Sequence, residues 1–217
     1  DGVLRCRQSK PGSRVDVAVI GDSHAEHLFL GLADTLPADN VGYYLVDGAP
    51  VTCDSKFARI VDYVSASKSI RTVVVNAFWQ ERGVHGDALA ATFEDLRRAG
   101  KQVFVTDDVP FFSFDPFGCK YRKALLLRTD CAVDARRFRR KYDDWYPELR
   151  ATVRRVPGVR LLATSRYFCG RATCEMARHG LLLFRDYNHL NINGSRLVAR
   201  RLISDYPAFA AAVSPRS

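Results

Sequence analysis

The sequence predicts a doubly wound α/β fold: a flavodoxin-like three-layer sandwich with helices on both faces of a mainly parallel, five-stranded sheet. Short apolar, β-branched runs alternate along the chain with amphipathic helical patterns, which is typical of this class. The runs are almost continuously apolar, as expected for strands buried on both faces. No internal repeat or linker divides the 217 residues, so residues 1–217 are predicted to form one domain.

Five segments have the length and composition of buried strands, and four others space their apolar residues three or four apart, as helices do. The predicted strands are 15–20, 41–46, 71–75, 101–106 and 159–163. The predicted helices are 24–36, 89–99, 134–156 and 193–203.

The composition is that of an ordinary globular protein, with 47% hydrophobic and 26% charged residues. It excludes a disordered or collagen-like chain. The net charge of +9 is unevenly distributed: residues 1–95 hold 9 basic and 13 acidic residues, whereas residues 96–217 hold 24 and 11. This asymmetry raises the question of an anionic partner for the second half. No apolar run approaches the roughly 20 residues of a membrane helix.

Six cysteines are present, and none of them forms a C-x-x-C motif, so a zinc ribbon is not predicted. An even number favours disulfides and an oxidising compartment. Six cysteines allow fifteen connectivities. Closeness in sequence favours Cys169–Cys174 and Cys119–Cys131, and elimination then leaves Cys6–Cys53, which would tie an N-terminal extension, residues 1–14, to the domain.

The first predicted strand leads into Gly21-Asp22-Ser23-His24, at the sheet edge where doubly wound folds bind ligands. Glycine permits a tight turn that a Cβ would obstruct. Ser23 then stands at the start of a helix, where free N–H groups and the helix dipole favour a developing anion. These are the requirements of a nucleophilic hydroxyl. The alternative is that Ser23 only caps the helix.

A second polar motif, Asp186-Tyr187-Asn188-His189, precedes the last predicted helix. An Asp three residues before a His can accept a hydrogen bond from Nδ1–H and leave Nε2 free to take a proton from Ser23. A Ser-His-Asp triad is defined by geometry and not by chain order. Taken singly, Asp186 could be a helix cap and His189 a surface residue.

These motifs and the α/β alternation between them resemble the SGNH (GDSL-like) hydrolase superfamily. More narrowly, G-D-S-H-A-E-H after a V-A-V-I strand resembles the extracytoplasmic SGNH domains fused to membrane acyltransferases of family 3, which O-acetylate bacterial surface polysaccharides and peptidoglycan. The resemblance covers residues 15–203. It implies the SGNH hydrolase fold, with Ser23 as nucleophile, His189 as general base and Asp186 as its orienting partner.

The resemblance also implies an oxyanion hole formed by the N–H groups of Ser23 and Gly48 and the amide of Asn76. Residues 75–79 depart from the G-x-N-D block that normally supplies this Asn, which puts its role in doubt. No metal or organic cofactor is implied. His24 and His27 lie three apart in a helical pattern, but two candidate ligands do not make a metal site, and packing is the preferred interpretation.

The predicted function is serine-dependent O-acyl transfer to a sugar hydroxyl of a cell-envelope glycan, and the resemblance implies that the acyl group is acetyl. The partners would be that glycan and a membrane acyltransferase domain that delivers the acyl group. The chain would be the C-terminal part of a longer membrane protein, extracytoplasmic, and monomeric as an isolated domain. The alternatives are a carbohydrate esterase with the same triad and a non-catalytic glycan-binding module.

Aromatic residues near the predicted site are candidates for substrate contact: Trp79, Phe111 and Phe112. A hydrophobic cluster beneath a long loop is an equal alternative for the two phenylalanines. The basic run 136–141 has the composition of a nucleic-acid patch. A solvated helix face is favoured because acidic residues follow it, and no nucleic-acid partner is predicted.

Overall fold

The computed structural model describes residues 4–121 and 131–214, which form a central sheet with helices on both faces. The strand order is β1-β3-β2-β4-β5-β7, and every neighbouring pair except β1–β3 is parallel. The predicted fold class is therefore confirmed. The strands of this sheet are β1 (Arg5–Gln8), β2 (Val17–Gly21), β3 (Val41–Leu45), β4 (Thr72–Asn76), β5 (Gln102–Thr106) and β7 (Arg160–Leu162).

The N-terminal segment adds a sixth strand that the sequence analysis did not predict. β1 pairs antiparallel with β3, and Cys6 lies opposite Tyr44. Its exposed, polar and basic residues lack the apolar run that marked the other strands. Backbone hydrogen bonds of the sheet, and not a disulfide, therefore hold this segment to the domain.

Nine helices lie within the described residues, and they differ from expectation in two ways. The predicted helix 134–156 is divided into two, because the chain leaves helical geometry at Trp145 and a new helix begins with a proline in its first turn. Four helices were not predicted: Ser55–Ala66, Trp79–Arg82, Phe117–Lys120 and Pro207–Val213. The helices are α1 (Ser23–Thr35), α2 (Ser55–Ala66), α3 (Trp79–Arg82), α4 (Gly86–Arg98), α5 (Phe117–Lys120), α6 (Ala135–Tyr142), α7 (Tyr146–Arg155), α8 (Ile192–Asp205) and α9 (Pro207–Val213).

Two hydrophobic cores lie on opposite faces of the sheet. Helices α2, α4 and α7 cover one face, and α1, α8 and α9 cover the other. Within the second layer, α1 packs closely on α8: a Cβ at Gly31 would stand only 2.1 Å from the carbonyl oxygen of Ser195. This close approach matters for the site because α1 begins at Ser23 and α8 begins just after His189.

Two small sheets stand outside the main one, and a disulfide lies beside the first. Strand β6 (Ala132–Asp134) pairs with β8 (Thr173–Glu175), and β9 (Ala177–Arg178) pairs with β10 (Leu181–Leu182). Ser165–Tyr167 forms a short 3-10 helix. None of the helices in the described ranges is long and apolar enough to cross a membrane.

The structure contains two of the three predicted disulfides, Cys119–Cys131 and Cys169–Cys174. The third prediction is wrong, since Cys6 and Cys53 are both exposed, free thiols. Elimination assumed that every cysteine pairs. Cys6 instead lies on the edge strand and Cys53 on the turn before α2, so each thiol faces solvent.

Candidate active site

The turn from β2 into α1 requires glycine. Gly21 has φ +146°, and a Cβ there would stand 1.7 Å from the carbonyl oxygen of Asn76, its register partner on β4. A side chain cannot fit between two parallel strands at this distance, and an L-residue rarely adopts this backbone conformation. The glycine thus lets the chain turn at once from the buried strand into the helix that begins at Ser23.

The buried carboxylate of Asp22 stabilises this turn through hydrogen bonds. It accepts them from His24 N at 2.8 Å, from Phe78 N at 3.1 Å and from Arg82 Nε at 3.2 Å. It therefore caps α1 and joins the turn to the segment after β4. Arg82 also pairs with exposed Asp47, which links the loop after β3 to the same group. Sequence reasoning gave Asp22 no role, although an Asp directly before a helix is a preferred N-cap.

Ser23, His189 and Asp186 lie together, as the sequence predicted. The Nε2 atom of His189 is 2.8 Å from Ser23 Oγ, and its Nδ1 is 2.9 Å from Asp186 Oδ2. The side chains of His189 and Asp186 are 18% and 34% exposed, so solutes reach this array from the surface. The order Asp–His–Ser is the arrangement in which a carboxylate orients an imidazole that can take the serine proton.

A local turn brings the side chains of Asp186 and His189 together. Asp186 Oδ1 accepts hydrogen bonds from the backbone N–H groups of Asn188 at 3.0 Å and His189 at 2.7 Å. This turn curls the chain so that the His189 ring returns to the same carboxylate. Asn191 then caps α8 by accepting from two backbone N–H groups. The packing of α8 on α1 keeps the two ends of the array in register.

Electrostatics favour an ionised Asp186 and a neutral His189. Partial burial opposes charge on Asp186, but hydrogen bonds from the backbone N–H groups of Asn188 and His189 and the attraction of His189 outweigh it, and the pKa of Asp186 is lowered. Burial also lowers the pKa of His189, assisted by repulsion from His24 and opposed by Asp186. At neutral pH His189 is therefore unprotonated and able to accept a proton.

All three predicted oxyanion donors lie at the carboxyl edge of the parallel strands. As the first residue of α1, Ser23 has no carbonyl one helical turn earlier to occupy its N–H. Gly48 follows β3, and the end of β3 is joined to the turn from β2 into α1 by a hydrogen bond from Val46 N to Gly21 O. Asn76 is fully buried, and its amide donates to the carbonyl of His24 at 2.7 Å, so its role as a third donor stays a prediction.

The predicted aromatic contacts divide into one surface residue and two core residues. Trp79 is fully buried, and its indole N–H donates to Thr106 O at 2.9 Å. Phe112 is also fully buried and packs edge-to-face on Phe184. Substrate contact by Trp79 or Phe112 is therefore a wrong prediction. Phe111 points the other way and remains partly exposed, since neighbouring residues of an extended segment face opposite sides.

A second Asp–His pair lies beneath the array. His24, His27 and Asp108 are the group of three potential metal ligands found within the described ranges, with ligand atoms within 4.8 Å of one another. His24 Nδ1 and Asp108 Oδ1 are, however, already joined at 2.7 Å. This is the geometry of a hydrogen-bonded ion pair and agrees with the expectation that His24 packs near the elbow. Sequence reasoning did not find Asp108, which is 84 residues away from His24 in the chain.

The fold and the Ser-His-Asp array define a domain of the class that performs acyl transfer or ester hydrolysis through an activated serine. A family model described as "SGNH domain (fused to AT3 domains)" matches residues 1–204. The chain therefore belongs to this family. No curated protein sequence matches it.

Solved structures with the same fold cover most of the chain. The Salmonella ser. Paratyphi A lipopolysaccharide acetyltransferase periplasmic domain is 14% identical, with a TM-score of 0.68 over 89% of this chain and 84% of that one. A Slackia heliotrinireducens protein assigned to the SGNH hydrolases is 18% identical, with a TM-score of 0.55 over 88% and 98%. A Bacteroides fragilis protein assigned as an acylhydrolase is 14% identical, with a TM-score of 0.54 over 95% and 94%. At these identities the likeness establishes the fold.

Proposed function

We propose that this domain is a serine-dependent O-acyltransferase that passes an acyl group, acetyl in the first instance, to a sugar hydroxyl of a bacterial cell-envelope glycan. The observation that carries the proposal is the Ser23–His189–Asp186 array, with 2.8 Å and 2.9 Å contacts, in a chain of the family that is fused to membrane acyltransferase domains.

The first half-reaction would load Ser23. Ser23 Oγ attacks the acyl carbonyl carbon while its proton moves to His189 Nε2, and the carbonyl oxygen becomes an oxyanion. The bond to the leaving group then breaks, and His189 returns the proton to that group. An acyl-serine ester remains. Asp186 stabilises the imidazolium that forms between the two proton transfers.

The second half-reaction would transfer the acyl group from Ser23 to the acceptor. A sugar hydroxyl gives its proton to His189 Nε2 and attacks the acyl carbon. The tetrahedral oxyanion collapses, the bond to Ser23 Oγ breaks, and the proton passes from His189 to Ser23. In both halves the Ser23 N–H would face the oxyanion, with the Gly48 N–H as second donor; loss of one such donor typically costs roughly 10²–10³ in rate.

The source of the acyl group would be a membrane domain of the same protein or complex. The fusion of this family to AT3 domains supports that interpretation, and the two disulfides favour an oxidising, extracytoplasmic location. The Salmonella relative is likewise a periplasmic domain. The excess of basic residues in the second half would keep the domain near anionic envelope surfaces.

The acceptor would meet an aromatic and basic surface beside the array. Phe111 lies edge-to-face with Tyr187 at 5.4 Å, and the Lys141 ammonium lies 5.1 Å from the Phe111 ring centre. Tyr187 belongs to the same turn as Asp186 and is 50% exposed. Aromatic faces provide apolar contact for sugar rings, and Lys141 with Arg137 lines the cleft next to Phe111.

The test replaces the nucleophile without disturbing the fold. Ser23→Ala in the full-length protein should abolish acylation of envelope glycan in cells, and the purified variant should unfold at the same temperature as the parent. Glu26→Gln, three residues further along α1, is the matched control and should leave acylation unchanged. Full acylation in the Ser23→Ala strain would refute the proposal.

A carbohydrate O-acyl esterase is the second candidate. The exposure of Asp186 and His189 favours it, because water can reach the acyl-serine from the same side as a sugar. Partition of a chromogenic acetyl ester between hydrolysis and transfer to added glycan separates the two functions. Release of acetate that is unaffected by saturating acceptor would favour the esterase. Glycan binding that persists in Ser23→Ala with no acyl chemistry in the parent would favour a non-catalytic module.

A further inference from the structure

A buried pair, His24 and Asp108, lies next to the residues proposed to perform the chemistry. His24 directly follows Ser23, and its Nδ1 is 2.7 Å from Asp108 Oδ1. The two side chains are only 1% and 3% exposed. The His24 ring stacks on Phe78 with a centroid distance of 4.5 Å and an angle of 5° between the planes. The His24 ring is thus held at its Nδ1 atom by Asp108 and on one face by Phe78.

Asp108 has a left-handed backbone conformation. Its φ is +67°, which is uncommon for residues with a side chain, although Asp adopts it more often than most. A hydrogen bond of 2.6 Å from the Thr164 hydroxyl to the Asp108 carbonyl helps to hold this backbone in place.

The neighbouring carboxylate anchors the same segment. Asp107 is buried and accepts hydrogen bonds from Thr164, from both the N–H and the hydroxyl of Ser165, and from the Tyr142 hydroxyl at 2.5 Å. This network connects the end of β5 to the segment after β7 and to α6. These hydrogen bonds hold the backbone next to Asp108 in place and so fix the position of Asp108 relative to His24.

The His24 ring flanks the proposed base. Its centroid is 4.8 Å from that of His189, at an angle of 55° between the planes. A third imidazole, His27, lies 5.0 Å from His24 and 6.2 Å from His189. The Nε2 atoms of His24 and His27 are buried without a hydrogen-bond partner among the described residues. Nothing in the two half-reactions above uses either residue.

The two flanking histidines differ in how readily they protonate. Burial opposes protonation of His24. The negative charge and hydrogen bond of Asp108, together with weaker attraction from Asp22 and Asp186, outweigh burial and raise the pKa of His24. Burial lowers the pKa of His27 well below its usual value, and His24, His189 and Arg185 lower it further. His24 is therefore the member of the cluster that protonates most readily, and His27 protonates least readily.

We propose that His24 is a positioning residue, which, paired with Asp108, packs against His189 as a fixed cation and keeps His189 unprotonated at neutral pH until it takes the proton of Ser23. The groups that face His189 are Asp186 and Arg185 from its own turn and His24 and His27 on α1. Asp186 favours the protonated ring and His24 opposes it. The consequence for catalysis rests on the proposed function, whereas the protonation states do not.

The test compares two variants with the parent protein in the acid limb of the pH–rate profile for hydrolysis of 4-nitrophenyl acetate. His24→Phe keeps an aromatic ring between Phe78 and His189 and removes the charge. Its midpoint should move to higher pH by about one unit, from the Coulomb interaction of charges about 5 Å apart at an effective dielectric constant of about 40. His27→Gln, the matched control on the same helix, should leave the midpoint unchanged. An unchanged midpoint in His24→Phe would overturn the proposal.

Histidine NMR titration of the isotope-labelled parent protein tests the proposal without requiring activity. We expect His24 to be doubly protonated at pH 7, where His189 is neutral. In Asp108→Asn, His24 should titrate at lower pH because its counter-ion is gone. A neutral His24 at pH 7 in the parent would overturn the proposal. Failure of Ser23→Ala to reduce ester hydrolysis would instead refute the proposed function, and it would leave the NMR result interpretable.

Discussion

The molecule contains two Asp–His pairs within a few ångströms of each other, and they are built differently. Asp186 and His189 belong to one turn at the surface, three residues apart, with side chains 34% and 18% exposed. Asp108 and His24 come from different elements and are 3% and 1% exposed. Only the first pair contacts the hydroxyl of Ser23.

The difference shows how surroundings separate the roles of identical residue types. At the surface pair, backbone N–H groups stabilise the carboxylate, so that Asp186 stays ionised and the imidazole can exchange protons with solutes. In the buried pair, desolvation raises the pKa of Asp108 to about 6, against the attraction of His24. We therefore expect the surface pair to matter most for rate and the buried pair to matter most for stability.

The largest expected effect is on rate. Asp186→Asn should lower kcat for ester hydrolysis roughly 10²–10⁴-fold, because a correctly oriented general base contributes that much. Asp108→Asn, which keeps an oxygen facing His24, should change kcat by less than about twofold at pH 8, because a rise of about one unit in the pKa of His189 still leaves that ring unprotonated there. Steady-state kinetics at pH 8 provide the measurement, and equal losses in the two variants would contradict the distinction.

The order should reverse for stability. Asp108→Ala should lower the free energy of unfolding by about 3–5 kcal/mol, because it leaves a buried histidine without its partner. Asp186→Ala removes a partly exposed pair and two turn hydrogen bonds, and should cost about 1–2 kcal/mol. Urea denaturation at pH 7 measures both, and a larger loss in Asp186→Ala would count against this interpretation.

The turn at Gly21 precedes two residues that contact these pairs: Ser23 contacts His189, and His24 contacts Asp108. Gly21→Ala should cost more than about 3 kcal/mol, since its Cβ would overlap Asn76 O and its φ is positive. Gly48→Ala is the matched control. Its Cβ would meet only the Asp54 carboxylate at 3.2 Å, and it retains the N–H, so stability and activity should change little. Urea unfolding and ester hydrolysis report the two effects.

The residues of the surface pair could be predicted from sequence because they lie within short motifs. The turn at Gly21 joins a strand to a helix directly, and the D-x-x-H spacing is closed by hydrogen bonds inside four residues. The alternation of apolar runs likewise identified five strands of the main sheet. In each case local geometry and local sequence carry the same information.

The buried pair could not be predicted in this way. Asp108 follows β5 and His24 follows β2, and these strands lie on either side of β4 in the sheet. The two residues meet because of this strand order, which the sequence around either residue does not reveal. Trp79 and Phe112 were misassigned for a related reason: an aromatic near a strand end can face the core or the surface, and packing decides between them. Cys6 shows that an even cysteine count does not oblige every cysteine to pair.

A smaller effect concerns pH. His189 must be unprotonated to accept the serine proton, so activity is gained as the pH rises through its pKa. Because burial and His24 lower that pKa below the usual 6.5, half-maximal kcat/KM for 4-nitrophenyl acetate should lie below pH 6.5. A midpoint above 6.5 would mean that Asp186 outweighs burial and His24 together.

The smallest expected effect separates acceptor binding from both pairs. Phe111→Ala removes the ring between Tyr187 and Lys141 but touches neither carboxylate. It should raise KM for an oligosaccharide acceptor about 5–10-fold, from the loss of about 1 kcal/mol of aromatic contact, and leave hydrolysis of 4-nitrophenyl acetate within about twofold. Phe117→Ala, an exposed aromatic on α5, is the control and should change neither. If Phe111→Ala lowers ester hydrolysis as much as it weakens acceptor use, then the ring supports the Asp186 turn and does not bind sugar. That outcome is physically reasonable, because the neighbouring Phe112 N–H donates to the Tyr187 carbonyl at 2.7 Å, and it would assign the aromatic loop to the surface pair.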